Sequence, residues 1–437
     1  MAKYSIYMLI RFLATISLIL TPVQIYGDGI QASGQQGDFT QEIQRYEQLY
    51  YADPNNQQLK QSLASLYNNQ GVIAAQQKQW QLAESYARKA VDLDPNDNNL
   101  KLNLSAIYFQ HGYDLYQSPT ASYTTDSHNE AKQLAKLALS MNAANVNAYI
   151  LLGDIEYMDQ NMTEAKSAWQ NAAQLMPTNT QIQERLAKIT REAQTESGMD
   201  NRSNAYFIIK IDQSLQQLQN FDIGQALDYA RINVGQDFSY TPPHKIPVIV
   251  YTPDQYKQTL KGAPEWSEGA FDGKLRIVIS SNNPYMKQIK SNIVHEYTHA
   301  VIADLANNSC PRWLNEGIAK YEEYKYGIRP LINVLALAYN TNNLIDFNNL
   351  NNSLLSQNKN EALLAYQQSF SFVYFLAEKY GIGKVAELLR ALGKNQDFPT
   401  AVQQVYFVPL TTLEQNWRSW LTNFLNRWAE SAQGSGY

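Results

Sequence analysis

Two of the chain's five histidines, His295 and His299, stand four residues apart in NIVHEYTHAVIADL (Asn292 to Leu305), with Glu296 beside the first. On an α-helix, residues four apart project to one side, so the two imidazoles can converge on a single ion. Glu296 lies one position round, where its carboxylate can hydrogen-bond an activated water without ligating. That division of labour suits hydrolysis: a zinc ion lowers the pKa of a water to about 7, and a carboxylate takes and later returns its proton. A catalytic zinc wants a third protein ligand and leaves a fourth position open. In PRWLNEGIAKYEEY, Glu316 follows His299 by 17 residues. Asn307 to Pro311 would turn the chain, and a second helix would bring Glu316 back to the first. No histidine occurs after His299. Asp304 is a competing ligand, but helical rotation carries it away from the histidine pair. Glu322 and Glu323 are weaker competitors and read as a solvated face. Trp313, Leu314 and Ile318 read as core that holds the ligand helix in place.

The surrounding segments must position these groups. YFIIKID (Tyr206 to Asp212), IPVIVYT (Ile246 to Thr252) and GKLRIVIS (Gly273 to Ser280) are short β-branched runs that predict strands. FDIGQALDYARINVGQDF, between the first two, predicts a helix. So does the histidine segment and almost everything after it. Strands leading into a helical remainder predict an α+β domain over 205–430.

The first half repeats itself. Ala83, Ala87, Ala90 and Pro95 fall at offsets 0, 4, 7 and 12, and the same offsets recur at Ala131, Ala135, Ala138 and Ala143 and at Ala165, Trp169, Ala172 and Pro177. A looser copy ends at Pro54. Small residues at these offsets make a narrow helical face that a neighbouring helix can approach, and the proline stops the helix. Gly71 and Gly153 each precede the first alanine by twelve residues, inside the partner helix. The pattern resembles the tetratricopeptide repeat, which stacks helix pairs into a solenoid. The resemblance implies an all-α domain over 38–195, serving either as a groove for a partner protein or as a scaffold that only positions the second domain, with a closing helix at Thr180 to Gln194. SPTASYTTDSHN breaks the register and is expected as a loop or a lengthened helix. Glu196 to Asn204 reads as the linker.

HEYTH followed by WLNEGIA resembles the gluzincin branch of the zincin metallopeptidases. More narrowly, it is similar to the peptidase-MA-like domains found beside tetratricopeptide repeats. The likeness runs from about Tyr206 to Trp428 and takes in IPVIVY, the segment W-x-x-G-A-F-D-G-x-L-R-I from Trp266, and AYQQSFSFVYFLAEKYG. It implies Zn2+ at His295, His299 and Glu316, with Glu296 as the general base. It also implies that GKLRIVIS is the edge strand that holds an extended peptide substrate. The developing oxyanion needs a donor; Tyr366 is the candidate, with Tyr374 and Tyr321 as rivals. Asn315, Thr298 and Asp304 could each orient a ligand.

Composition narrows the setting. Across 437 residues the net charge of -5 gives no sign of a nucleic-acid partner. Cys310 stands alone, so neither an internal disulfide nor a thiolate cluster is available. Near the N-terminus Lys3 and Arg11 supply positive charge, FLATISLIL (Phe12 to Leu20) is a short apolar core, and Pro22 ends it. Residues 1–27 therefore read as a signal peptide, with an uncleaved anchor as the alternative. No other segment is apolar for long enough to span a membrane. The expectation is an exported (periplasmic or extracellular) zinc endopeptidase whose repeats recruit or orient protein substrates. Its rivals are a repeat-based interaction scaffold with an inactive or structural zinc, and a zinc amidase acting on cell-wall peptide.

Overall fold

A computed structural model of the chain describes residues 38–117, 125–215, 222–260, 269–280 and 286–433. The expected signal peptide, Trp266 and the start of the insertion at Ser118 lie outside them. The chain divides after Gln194 into two units.

The first unit is helical: α1 (Thr40–Ala52), α2 (Gln57–Gln76), α3 (Trp80–Leu93), α4 (Asn98–Gln117), α5 (Thr125–Met141), α6 (Val146–Met158), α7 (Met162–Leu175) and α8 (Thr180–Glu196), whose last two residues fall in the second unit. The helices pair as α2 with α3, α4 with α5 and α6 with α7. The alanine stripes are what pack: Ala83, Ala87, Ala90, Ala131, Ala135, Ala138, Ala165 and Ala172 are all buried. Opposite them, a Cβ on Gly71 would lie 3.1 Å from the Ala83 carbonyl oxygen, and one on Gly153 would lie 2.4 Å from the Trp169 ring. Backbones can approach this closely only where side chains are small or missing. Ends follow local chemistry too. α3 and α7 stop short of Pro95 and Pro177, because the residue before a proline disfavours the helical conformation. Asn56 and Asn145 cap α2 and α6 by accepting from the Leu59 and Ala148 backbone. The downstream end of the insertion, from Thr125, lengthens α5. Two histidines have structural partners here: His111 Nδ1 lies 2.6 Å from Glu84, and His128 Nδ1 lies 3.3 Å from Asp159.

The second unit is built on a mixed sheet. Its strands are β1 (Asp200–Ser203), β2 (Phe207–Ile211), β3 (Ile246–Tyr251), β4 (Gly269–Phe271) and β5 (Leu275–Val278), in the order β1-β2-β3-β5-β4. The pairs β2–β3 and β3–β5 are parallel, and β1 and β4 add antiparallel edges. Between strands lie α9 (Ile223–Phe238) and α10 (Pro253–Thr259), and after them α11 (Met286–Leu305), α12 (Arg312–Lys325), α13 (Asn333–Asn340), α14 (Leu350–Ser353), α15 (Lys359–Tyr380), α16 (Ile382–Gly393), α17 (Phe398–Tyr406) and α18 (Leu410–Gln433). Phe207, Ile209, Val248, Val250, Leu275 and Ile277 turn one sheet face into the core that α9 and α11 cover. The fold is therefore mostly helical, with repeats first and a small mixed sheet in the second half, as an α+β chain requires.

Two expectations need correction. The segment read as a linker contains a strand and a buried anchor. Asp200–Ser203 pairs with β2, and the Glu196 carboxylate accepts from Lys210 Nζ at 3.0 Å and from the Tyr251 hydroxyl at 2.7 Å. An edge strand with exposed side chains needs no apolar alternation, so DNRS has the composition of a linker. GKLRIVIS is not the edge either. Its strand β5 is covered by β4, because Asp272 and Gly273 (φ +92) turn the chain back into a hairpin.

Candidate functional site

α11 carries the histidines and α12 the glutamate. Asn307 and Asn308 take left-handed conformations (φ 46 and 54) just after α11, and the Asn308 N–H closes the helix end onto the Ala303 carbonyl at 2.9 Å. Pro311 then opens α12. Trp313, Leu314 and Ile318 are buried, and Trp313 meets Phe347, Phe372 and Phe398 edge-on. α12 also lies unusually close to α15: a Cβ on Gly317 would be 2.6 Å from the Ser369 carbonyl oxygen. This packing fixes the residue before it, Glu316.

His295, His299 and Glu316 each offer a ligand atom, all within 4.8 Å of one another. Both imidazoles turn Nε2 toward Glu316, at 3.6 Å from His295 and 3.9 Å from His299. Their Nδ1 atoms are held from behind. Glu323 lies 3.2 Å from Nδ1 of His295, and Asn315 Oδ1 lies 2.7 Å from Nδ1 of His299. Acceptors at both Nδ1 atoms favour the tautomer that leaves each Nε2 lone pair free for a metal. Glu323 is itself bonded by Lys320 at 2.7 Å.

Charge at the site is strongly perturbed. Burial pushes the Glu296 carboxyl up to about 8, with Glu316 and Glu323 adding to the effect and His295 and Lys320 opposing it. Burial also pulls His299 down to about 4. For His295 burial works the same way, but hydrogen bonds to Glu316 and Glu323 outweigh it and raise the imidazole to about 9. Glu316 falls to about 2, because its histidine neighbours overcome burial. Glu296 is 6% exposed, and its Oε2 has no hydrogen-bond partner among the described residues. Two imidazole nitrogens and one carboxylate oxygen, beside a buried carboxylate oxygen with no partner among the described residues, fit a divalent cation of zinc type.

The other sequence candidates sort themselves by position. Tyr366, half-buried on α15, has its phenol pushed up by burial and by the charges of Glu316 and Glu296, which places it in the field of the cluster. Tyr374 and Tyr321 meet edge to face, with ring centroids 5.9 Å apart, and Tyr374 joins an aromatic cluster with Tyr324, Phe424 and Trp428. Of the three proposed orienting residues, Asn315 contacts a histidine. Thr298 bonds the Val294 carbonyl instead, and Asp304 accepts from Tyr240 at 3.1 Å. Glu322 and Glu323 are buried rather than solvated, at 3% and 5% exposure, and Glu323 belongs to the site although two adjacent acids suggest a surface. A signal was available. Glu323 lies seven residues after Glu316, about two helical turns and so on the same face, with Lys320 between them. Cys310 is half-buried and donates its S–H to the Pro311 carbonyl, as a loop residue does.

Among the described residues no helix is long and apolar enough to cross a membrane. No curated protein matches the chain. Solved structures that align with it include the first tetratricopeptide domain of Spaghetti (RPAP3) bound to an HSP90 peptide, at 22% identity over 30% of this chain and 93% of that one, with a TM-score of 0.22. The OM64 tetratricopeptide domain of Arabidopsis aligns at 18% identity over 30% and 98%, with a TM-score of 0.23, and MamA at 19% over 36% and 80%, with a TM-score of 0.24. The tetratricopeptide repeat profile, of a type that serves protein–protein interaction, matches residues 64–97, which span α3 and much of α2. Residues 229–423, which include α11, α12 and the whole histidine–glutamate cluster, match the Peptidase MA superfamily.

Proposed function

We propose that this protein is an exported zinc metallopeptidase that cleaves peptide bonds within protein substrates brought to it by its repeats. One juxtaposition carries the reading: three ligand atoms lie within 4.8 Å of one another, beside a buried carboxylate oxygen of Glu296 that has no partner. His295, His299 and Glu316 would hold the zinc, with Glu323 and Asn315 fixing the imidazoles. Bound there, zinc acidifies water and polarises a carbonyl. Glu296 accepts a proton from the attacking water at Oε2 while the water's hydroxyl adds to the scissile carbonyl carbon. It then delivers that proton to the amide nitrogen as the C–N bond breaks, giving a carboxyl and an amine. Tyr366 is the proposed donor to the carbonyl oxygen, since its phenol feels the charges of Glu316 and Glu296. The repeat profile supports a protein partner or substrate. Export rests on Lys3, Arg11 and the apolar run Phe12 to Leu20.

The test is Glu296→Gln, assayed for zinc content and for hydrolysis of unfolded protein and of purified cell-wall fragments. The proposal expects wild-type cleavage of protein, a loss of about 10²–10⁴-fold in the variant, and unchanged zinc. Cleavage of wall fragments alone would replace peptidase with amidase. Full activity in the variant would exclude Glu296 as the base, and a zinc-loaded wild type inert on both substrates would leave an interaction scaffold.

A further inference from the structure

Gly269, at the start of edge strand β4, is a glycine whose backbone does not demand one. It does not take the left-handed conformation that Gly198, Gly273, Gly327 and Gly381 adopt. It sits in an ordinary antiparallel register opposite Ile277. What it lacks is room. A Cβ at Gly269 would stand 2.6 Å from Oε1 of Glu296, 2.9 Å from its Cγ and 3.0 Å from its Cδ. The pleat explains the direction. Ala270 points to the sheet face shared with Tyr251 and Tyr256, while Phe271, two residues from Gly269, packs on the core that includes α11. The strand is also pinned, because the buried Tyr256 hydroxyl donates to the Gly269 carbonyl at 2.8 Å.

We propose that Gly269 is the positioning residue for Glu296: the bare backbone of the edge strand forms the wall against which the Glu296 carboxylate rests. The inference rests on the peptidase reading for its effect on rate, but the contact itself does not depend on that reading. A side chain at this position must push the carboxylate aside, and a displacement of about 1 Å at a reacting group costs about 10²-fold in rate.

The experiment is a cycle of Gly269→Ala, Glu296→Ala and the double variant in the full chain, read by urea denaturation, with zinc content and steady-state peptide hydrolysis on Gly269→Ala. The expected result has three parts. Gly269→Ala lowers the denaturation midpoint in the wild-type background but much less in the Glu296→Ala background. Zinc content stays at the wild-type level. kcat falls about 10²-fold with little change in KM. If Gly269→Ala fails to fold, the double variant should fold, since the group it collides with has been removed. Equal destabilisation in both backgrounds, or misfolding of both, overturns the contact. An active wild type with Gly269→Ala at full kcat overturns the positioning role. A wild type inactive on every peptide, with the stability coupling intact, would count against the peptidase reading alone.

Discussion

Glu323 allows the proposed metal centre to be tested without touching a ligand. Its side chain is 6% exposed and lies 3.2 Å from His295 Nδ1 and 2.7 Å from Lys320 Nζ. Burial pushes its carboxyl up, but the bonds to His295 and Lys320 prevail and hold it at about 2. A fall from 4.5 to about 2 corresponds to about 3 kcal/mol favouring the ionised form. His295 and Lys320 share that stabilisation, and partners behind a metal ligand generally contribute about 10–100-fold to its affinity. Glu323→Ala should therefore weaken zinc binding about 10–100-fold. Glu323→Gln keeps an acceptor for His295 but loses the charge, so its deficit should be smaller. Competition against a chromophoric chelator at neutral pH measures both, with thermal melts to establish that each variant folds. A folded Glu323→Ala protein that binds zinc as tightly as wild type would refute the reasoning, because His295 would then be oriented by something other than this carboxylate.

Tyr366→Phe removes the proposed oxyanion donor. Steady-state hydrolysis should show kcat lower by about 10²–10³-fold with zinc content unchanged, and an unaltered kcat would exclude the hydroxyl from that role. Asp304 predicts a pH dependence of stability. Burial raises its carboxyl to about 7 although Tyr240 donates to it, and His244 Nδ1 lies 3.8 Å away. A folded-state value above the unfolded one means the proton favours the fold. That stabilisation is full below about pH 4 and is lost as pH rises through about 7. Asp304→Asn cannot ionise, so its unfolding free energy should gain on the wild type between about pH 4 and about pH 7, by at most about 1.4 kcal/mol for each pH unit. Urea denaturation at several pH values measures it, and a difference that stays constant with pH would refute it.

The parts of this protein legible in the sequence are those fixed by local periodicity. His295 and His299 share a helix face whatever the rest of the chain does, and the alanine stripes at Ala83, Ala131 and Ala165 mark close helix pairs because only small residues permit them. Tertiary choices are not legible. Asn315, Thr298 and Asp304 are equal candidates to orient a ligand until rotamers and neighbours decide, and it is Asn315 that contacts the candidate ligand His299. Glu323 is hidden by Glu322, since two adjacent acids read as solvent-facing, whereas helix periodicity places Glu323 on the same face as Glu316. The edges β1 and β4 escape detection because strands of four and three residues, one of them polar, carry no alternation long enough to recognise. Strand order is invisible in principle from a pattern that repeats every two residues.

Charge ties the site together. With neutral imidazoles, Glu296, Glu316 and Glu323 against Lys320 leave the cluster two negative charges in excess, three minus one, among side chains that are largely buried. One divalent cation cancels that excess. Without a cation, protons must do so, and His295 and Glu296 are the two groups raised, to about 9 and about 8. A cluster that served stability alone would have no reason to keep Glu296 buried with Oε2 unpartnered, an arrangement that costs about 1–3 kcal/mol. A base that must be free to take up a proton does have that reason.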